Sequence, residues 1–173
     1  MHSVAQPEST SAVVATARAR VAVAGATGFT GQELLRLLSR HPLVALGAAM
    51  SSGQTGASSR RLPGLTRLWD GVITPLSAET LATEADVVFL ALPDAAAAEL
   101  APALVEAGVR VIDLSGAFRL QQGDARARWY PDTQRLPAGV AYGLTERERG
   151  AVAAPADALS VWATVCIGKN TYT

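Results

Sequence analysis

The 173-residue chain carries 15 basic and 15 acidic residues, so its formal net charge is zero. Without a basic surplus to neutralise phosphates, we expect no nucleic-acid partner. Hydrophobic residues make up 49% and charged residues 17% of the sequence, which predicts a well-buried globular domain rather than a disordered chain. No apolar run approaches the roughly 18 residues that a membrane span needs. The single cysteine, Cys166, fits a reducing compartment, and we expect a cytoplasmic protein.

The first 19 residues contain many small and polar side chains, and we expect them to form a disordered leader. Arg18 and Arg20, among the small residues, also suggest an organellar transit peptide, against which Glu8 argues. Structure is predicted to begin with the RVAVA sequence, residues 20–24. These residues are small, apolar and partly β-branched, which is typical of a fully buried strand.

The sequence QELLRLLSRHP predicts a helix that ends before Pro42. Its leucines are expected on one buried face: Leu34, Leu35, Leu37 and Leu38. LVALGAAM then predicts a second buried strand that ends near Met50. The Ser- and Gly-rich sequence that follows predicts a mobile loop.

A short strand is predicted in GVITPL, one helical turn at residues 77–81, and the clearest strand in ADVVFLAL, which Pro93 ends. Asp94 is expected to cap the alanine-rich helix that follows, and Gly108 to end it. Pro102 is expected to kink or break this helix. VRVIDL predicts the next strand; beyond it the pattern weakens, and VAY indicates one more short strand.

The GATGFTG sequence, residues 25–31, joins the first strand to the first helix. Gly25 is expected to let the strand turn sharply, Gly28 to let backbone amides approach an anion, and Gly31 to let the helix pack against the strand. The free N–H groups and the dipole at a helix start suit the pyrophosphate of a dinucleotide. A tight turn without a ligand is the alternative. The predicted cofactor-binding residues are the whole loop: Gly25, Ala26, Thr27, Gly28, Phe29, Thr30 and Gly31.

The order strand, helix, strand, strand, helix, strand, with nearly continuous apolar strands, predicts an α/β fold. It is typical of a Rossmann-type, doubly wound parallel sheet with helices on both faces. Residues 20–150 are assigned to this dinucleotide-binding domain and residues 151–173 to a divergent tail. No metal site is predicted.

The type of nicotinamide cofactor depends on the end of the second strand. An NAD enzyme would place Asp or Glu about 20 residues beyond the glycine loop, on the ribose 2′-hydroxyl. Here Ser51 and Ser52 stand in AAMSSGQTG, and hydroxyls tolerate a 2′-phosphate that a carboxylate would repel. NADP is therefore the predicted cofactor, with Arg60 and Arg61 as further candidates to reach its phosphate. Ordinary turn chemistry is the alternative role of the two serines.

Four sequences occur in order along residues 20–146: VAVAGATGFTGQELLRLLSRHP, VFLALPD, VIDLSGAFRL and WYPDTQRLPAGVAYGLTE. Together they resemble the semialdehyde dehydrogenase superfamily, which includes aspartate-semialdehyde dehydrogenase. The resemblance is closer to the N-acetyl-gamma-glutamyl-phosphate reductases of arginine biosynthesis. The YGLTE block is not expected in the aspartate enzyme.

The resemblance implies that Pro93 and Ser115, each following a sheet strand, line the cofactor crevice. The family usually has His where Asp94 stands. Arg119 is a candidate to hold a substrate phosphate or carboxylate, and a structural ion pair is the alternative. Many relatives read Ser-Ala-Asp-Phe-Arg where this chain has SGAFR, so one acidic partner for Arg119 is missing. The aromatic residues Trp129 and Tyr142 are expected to pack in the domain.

The resemblance also implies the reaction, an NADP-dependent reductive dephosphorylation of N-acetyl-gamma-glutamyl phosphate. A cysteine thiolate attacks the acyl phosphate, phosphate leaves, hydride reduces the thioester to the semialdehyde, and a histidine serves as acid and base. The family cysteine lies in Asn-Pro-Gly-Cys-Tyr, whereas Cys166 lies between Thr164-Val165 and Ile167. These apolar neighbours favour a buried thiol over a nucleophile. No catalytic residue is predicted, because His2 and His41 lie in the leader and at a helix end.

The substrate domain of such a reductase has no counterpart in this sequence. We therefore expect a truncated or frame-altered product, or a fragment, that is inactive alone. The complete enzyme would take a small-molecule substrate, and a homo-oligomer is a further possibility. The alternatives are a non-catalytic NADP-binding module, a structural or interaction remnant, and a fragment like aspartate-semialdehyde dehydrogenase.

Overall fold

The structure is a computed structural model that describes residues 19–51, 62–65, 67–133, 136, 140–143, 150 and 161–164. The described strands form one seven-stranded sheet. They are β1 (Ala19–Ala24), β2 (Val44–Ser51), β3 (Ile73–Pro75), β4 (Val87–Leu90), β5 (Arg110–Asp113), β6 (Ala141–Gly143) and β7 (Val161–Thr164). Their order across the sheet is β3-β2-β1-β4-β5-β7-β6, and every neighbouring pair is parallel.

Helices cover both faces of this sheet. They are α1 (Phe29–Leu38), α2 (Ala78–Glu84), α3 (Asp94–Glu106) and α4 (Gly123–Trp129), with a short 3-10 turn at Pro63–Leu65. Ala22 of β1 belongs to a buried cluster with Leu81 of α2 and Leu104 of α3. Its neighbour Val23 points to the other face and packs in a second cluster with Leu35 of α1. The predicted Rossmann-type, doubly wound sheet is therefore confirmed.

The strand order reverses beside β1. The chain adds β2 and β3 on one side of β1 and then β4 and β5 on the other. In open α/β sheets a ligand crevice lies outside the carboxyl ends of the strands at this switch point. The loops that follow β1 and β4 therefore border the crevice.

Helix α1 buries a narrower face than the sequence predicts. Leu35 is fully buried, and Leu34 and Leu38 pack partly against the same cluster. Leu37, which we expected on this face, is 52% exposed. At 100° per residue Leu34, Leu35 and Leu38 span an arc of about 100°, and Leu37 lies about 60° outside it.

Helix α3 corrects the predicted cap, shows no break at Pro102 and confirms the predicted end. Pro93 is the N-cap, Asp94 is the first helical residue, and the helix runs uninterrupted through Pro102. A buried apolar face holds the segments on both sides of the proline against the sheet: Ala97, Leu100, Ala101, Leu104 and Val105. The predicted end at Gly108 is confirmed. Gly108 has φ +80°, and the N–H groups of Gly108 and Val109 donate to Val105 O and Leu104 O, as in a Schellman motif.

Helix α4 was missed by the sequence analysis because none of its residues is buried, so it shows no apolar periodicity. Its Arg126 instead donates Nε to Thr133 O at 3.1 Å and Nη1 to Leu120 O at 3.4 Å. Trp129, expected to pack, is 66% exposed, with the Arg128 guanidinium 5.5 Å from its ring centroid. The side chain of Tyr142 lies outside the described residues.

Strand β7 lies within the sequence predicted as a divergent tail, and it pairs between β5 and β6 in the same sheet. The leader lies outside the described residues, as does the loop at 52–61. Within the described ranges, no helix combines the length and apolar character that crossing a membrane requires.

The uninterrupted α3 generates a prediction. Changing Pro102→Ala restores an N–H that can donate to Ala98 O and removes the ring, whose cost inside a helix is about 3 kcal/mol. Greater freedom of the unfolded chain offsets up to about 1 kcal/mol of that gain. We expect the free energy of unfolding in urea to rise by about 1–2 kcal/mol. The control Glu99→Ala, at an exposed position of the same helix, should change it by less than about 0.5 kcal/mol. A less stable Pro102→Ala variant would show that the ring itself stabilises this face.

Candidate functional site

The turn after β1 is built around Gly25, which has φ +89°. A Cβ atom on Gly25 would lie 2.1 Å from Ala91 O, so no side chain fits between this turn and the end of β4. The N–H groups of Gly25 and Ala26 both donate to Met50 O, at 2.8 and 2.9 Å. The turn is thus fixed against β4 on one side and β2 on the other, and the sharp turn predicted for Gly25 is confirmed.

Gly31 brings α1 onto this turn. A Cβ atom there would lie 2.2 Å from Gly25 O and 2.8 Å from the Cα atom of Ala26. The close helix packing predicted for Gly31 is present, and its partner is the turn that follows β1 rather than the strand itself. Both residues of the turn that it contacts are buried.

Gly28 differs from the other two glycines of the loop. It is the N-cap of α1, is exposed, has φ −74° and ψ 165°, and provides no side-chain cap. A Cβ atom there would meet only Gly25 O, at 3.5 Å, which is an ordinary contact. The first turn of α1 contains no acidic residue, so no carboxylate competes for its N–H groups. The position therefore has the shape and polarity that fit a dinucleotide phosphate.

Thr27 links the loop to the end of the second strand. Its Oγ1 lies 2.9 Å from Ser51 Oγ, and either hydroxyl can be the donor. Its carbonyl oxygen accepts a hydrogen bond from Gln32 Nε2 at 2.9 Å. Ser51 is the last residue of β2 and is half-buried. The predicted candidates Ser52, Arg60 and Arg61 lie outside the described residues.

The predicted site residues follow strands β1, β2, β4 and β5 at one edge of the sheet. Phe29 is 97% exposed, Thr30 is also exposed, and Pro93 is exposed at the start of α3. Ser115 is buried. The described residues contain no group of three or more His, Cys, Asp or Glu that could hold a metal ion.

The side chain of Ser115 points into the protein. Its Oγ donates to Asp113 Oδ2 at 2.7 Å and accepts from Ala117 N at 3.1 Å. The Ser115 N–H donates to Asp113 Oδ1 at 3.0 Å. A hydroxyl has one proton, and here Asp113 receives it, so Ser115 keeps only acceptor capacity for a ligand.

Asp113 ends β5 and is fully buried. Burial raises the pKa of its carboxyl to about 6, although the two hydrogen bonds from Ser115 act in the opposite direction. The nearby carboxylate of Asp94 raises this pKa further, and Arg119 lowers it. An ionisable group at the crevice edge thus titrates close to neutral pH.

Asp94 and Tyr130 hold Gly116 from two sides. The Gly116 N–H donates to Asp94 Oδ1 at 2.6 Å, and a Cβ atom on Gly116 would lie 2.2 Å from the Tyr130 ring. Arg119 turns back over the same loop and donates Nε to Ser115 O at 3.2 Å. Asp113 and Tyr130 are not among the residues that the sequence predicts for the site. An aspartate in the apolar VRVIDL strand, two residues before a serine, was the signal available for Asp113.

The chain is similar to curated enzymes named N-acetyl-gamma-glutamyl-phosphate reductase. The chain is 39% identical to N-acetyl-gamma-glutamyl-phosphate reductase of Brevibacillus brevis over 138 residues, which cover 78% of this chain and 40% of that protein. It is 44% identical to the enzyme of the same name from Geobacillus stearothermophilus over 137 residues, 76% of this chain and 39% of that protein. The chain therefore spans about 40% of the length of the curated relatives it matches.

Solved structures show the same fold. Aspartate semialdehyde dehydrogenase II from Vibrio cholerae is similar with a TM-score of 0.58 at 20% identity, over 84% of this chain and 41% of that one. The aspartate semialdehyde dehydrogenase from Candida albicans, solved with NADP, has a TM-score of 0.57 at 20% identity, over 86% of this chain and 42% of that one. Residues 20–154 match the family described as semialdehyde dehydrogenase, NAD binding domain. The chain therefore belongs to the semialdehyde dehydrogenase family through its NAD-binding domain, and its cofactor is of the nicotinamide dinucleotide class.

Proposed function

We propose that the chain is the cofactor-binding part of an NADP-dependent reductase that converts N-acetyl-gamma-glutamyl phosphate to the corresponding semialdehyde. The observation that carries the proposal is the start of α1, which no side chain caps. A side chain at Gly28 would meet only an ordinary contact within the protein, so the fold does not require glycine at this position. Curated relatives about 40% identical, which are named N-acetyl-gamma-glutamyl-phosphate reductase, support the substrate.

The residues of the glycine loop would hold the cofactor. The N–H groups of Gly25, Ala26 and Gly28 already donate within the protein, so those in the first turn of α1, residues 29–31, would bind the pyrophosphate, helped by the positive end of the α1 dipole. The hydroxyls of Ser51 and the neighbouring Ser52 would donate hydrogen bonds to the 2′-phosphate, and Pro93 and the backbone of the loop at Ser115 would line the crevice further along the sheet edge. When bound, the cofactor supplies the hydride.

The described residues would form this donor site, and among them there is no acid–base pair of the kind that the proposed reaction needs. His41 lies exposed just beyond α1, where its Nδ1 accepts the Leu43 N–H at 3.2 Å. Cys166 lies outside the described residues, and its neighbours differ from the family motif. We therefore propose that the 173-residue chain by itself binds NADP(H) without turnover, and that catalysis needs the sequence of the longer relatives.

The first prediction for the cofactor site concerns Gly28. Changing Gly28→Val places a branched side chain where the pyrophosphate must lie, at a position with no close neighbour in the protein. We expect NADP(H) to bind at least tenfold more weakly, a loss of about 1.4 kcal/mol, in calorimetric titration. Gly123→Val is the matched control, since its Cβ meets nothing within 4 Å and it lies at the start of α4. Equal affinity of the wild type and Gly28→Val would contradict the assignment.

The second prediction concerns cofactor choice. No carboxylate follows β2 directly, so we expect NADP to bind more tightly than NAD in the same titration. Ser51→Asp should reverse the preference, because its carboxylate repels a 2′-phosphate while still accepting the Thr27 hydroxyl. Ser51→Ala separates loss of the hydroxyl from gain of the charge. Tighter binding of NAD to the wild type would show that the end of β2 does not select NADP.

The third prediction is that the chain alone does not catalyse the reaction. The purified chain is given NADP, phosphate and N-acetylglutamate semialdehyde, and NADPH formation is followed by absorbance. We expect no turnover, since a thiolate and a proton shuttle must be held within about 0.5 Å of productive geometry. The control is a full-length reductase from one of the curated relatives. Turnover that disappears in Cys166→Ser would contradict the prediction and identify Cys166 as the nucleophile.

A further inference from the structure

We infer that Asp94 and Asp113 are positioning residues that fix the loop of residues 115–119 at the rim of the crevice, and that this loop loosens when Asp113 takes up a proton. The inference rests on the proposed cofactor site, because the loop borders the crevice in which that cofactor would lie. Asp94 and Asp113 thereby have a structural role, although the proposed reaction does not use their carboxylates directly.

The contacts of Asp113 favour the ionised carboxylate. Its Oδ1 accepts the Ser115 N–H at 3.0 Å, and its Oδ2 accepts the Ser115 hydroxyl proton at 2.7 Å. Both oxygens are therefore acceptors, and a charged carboxylate accepts such bonds more strongly than a neutral carboxyl group does. A proton on Oδ2 that faces the Ser115 hydroxyl would require the serine to turn its own proton elsewhere, while its Oγ also accepts the Ala117 N–H at 3.1 Å. Protonation therefore weakens the bonds that hold this loop.

Asp94 holds the next residue of the loop from a different element. It is the first residue of α3, and its Oδ1 accepts the Gly116 N–H at 2.6 Å. The Tyr130 ring lies where a Gly116 side chain would be. Two carboxylates and one ring thus determine where the backbone of residues 115–117 lies. A ligand at the crevice meets a loop that is already in place, which lowers the entropy cost of binding.

Charges on two elements act on Asp113. Asp94 from α3 raises the pKa of Asp113, and Arg119 from the loop itself lowers it. The neighbouring strands place Leu90 of β4 and Ala163 of β7 in register with Asp113. Burial is the largest cause of its raised pKa, about 6, so protonation of Asp113 begins only slightly below neutral pH.

The test follows the backbone amide signals of Ser115, Gly116 and Ala117 by NMR, from pH 5 to pH 8, in the 173-residue chain. We expect the three signals to shift together with one midpoint near pH 6, the pKa of Asp113. Asp113→Asn should abolish this shared titration. Asp94→Asn keeps an acceptor for Gly116 but removes a negative charge, so the midpoint should move down by about 0.5 pH units. Replacing a residue whose role is merely structural would not shift this midpoint.

A second readout measures NADP affinity by calorimetry at pH 7.5 and pH 5.5. The 2′-phosphate of NADP itself titrates near pH 6 (about the second pKa of a phosphate monoester), so the comparison between variants is the measurement. We expect the wild type to lose about threefold more affinity on acidification than Asp113→Asn. At pH 7.5 Asp94→Ala, which lacks the acceptor, should bind about threefold more weakly than Asp94→Asn.

The outcomes separate this inference from the proposed function. If Ser115, Gly116 and Ala117 titrate together but NADP does not bind at any pH, the loop mechanism stands and the cofactor proposal fails. If NADP binds and Asp113→Asn leaves the amide titration unchanged, the inference is wrong. Should Asp113→Asn fail to fold, the midpoint in Asp94→Asn decides alone, and an unshifted midpoint overturns the inference.

Discussion

The structure depends on a backbone contact that leaves no room for a side chain. At Gly25 the chain leaves β1 so close to the end of β4 that a Cβ atom would lie 2.1 Å from Ala91 O. At Gly31 helix α1 returns so close to the same turn that a Cβ atom would lie 2.2 Å from Gly25 O. Two strands and one helix thus meet at one point, the switch point of the sheet. Because these three segments are in contact there, the first turn of α1 faces the crevice.

The middle glycine of the loop, Gly28, has a different reason to be glycine. Gly25 and Gly31 are required by the fold itself, whereas a side chain at Gly28 would meet only an ordinary contact. Where the fold does not require glycine, a ligand that approaches the backbone closely is the expected reason for one. The spacing in the sequence makes the three glycines look alike. The structure distinguishes the two that shape the turn from the one that faces the crevice.

The sequence predicted the elements whose apolar pattern is strong. Strands β1, β4 and β5 and the two long helices follow from buried apolar residues at the expected spacing. Prediction failed where other forces decide: α4 buries nothing, and tertiary packing keeps α3 intact through Pro102. The sequence predicts the glycine loop because the pattern that indicates it lies within seven consecutive residues, 25–31. The bond between Asp94 and Gly116 joins residues 22 positions apart, and no local pattern predicts it.

The proposed cofactor site lies at the crevice edge, and the chain spans about 40% of the length of its curated relatives. We propose that this edge binds a nicotinamide dinucleotide through the glycine loop. Amide hydrogen exchange with and without NADPH tests it most directly, because exchange reports local opening residue by residue. We expect slower exchange at residues 25–31 and 115–119 on addition of NADPH, and no change in α4. Unchanged exchange at residues 25–31 under saturating NADPH, or slower exchange confined to α4, would contradict it.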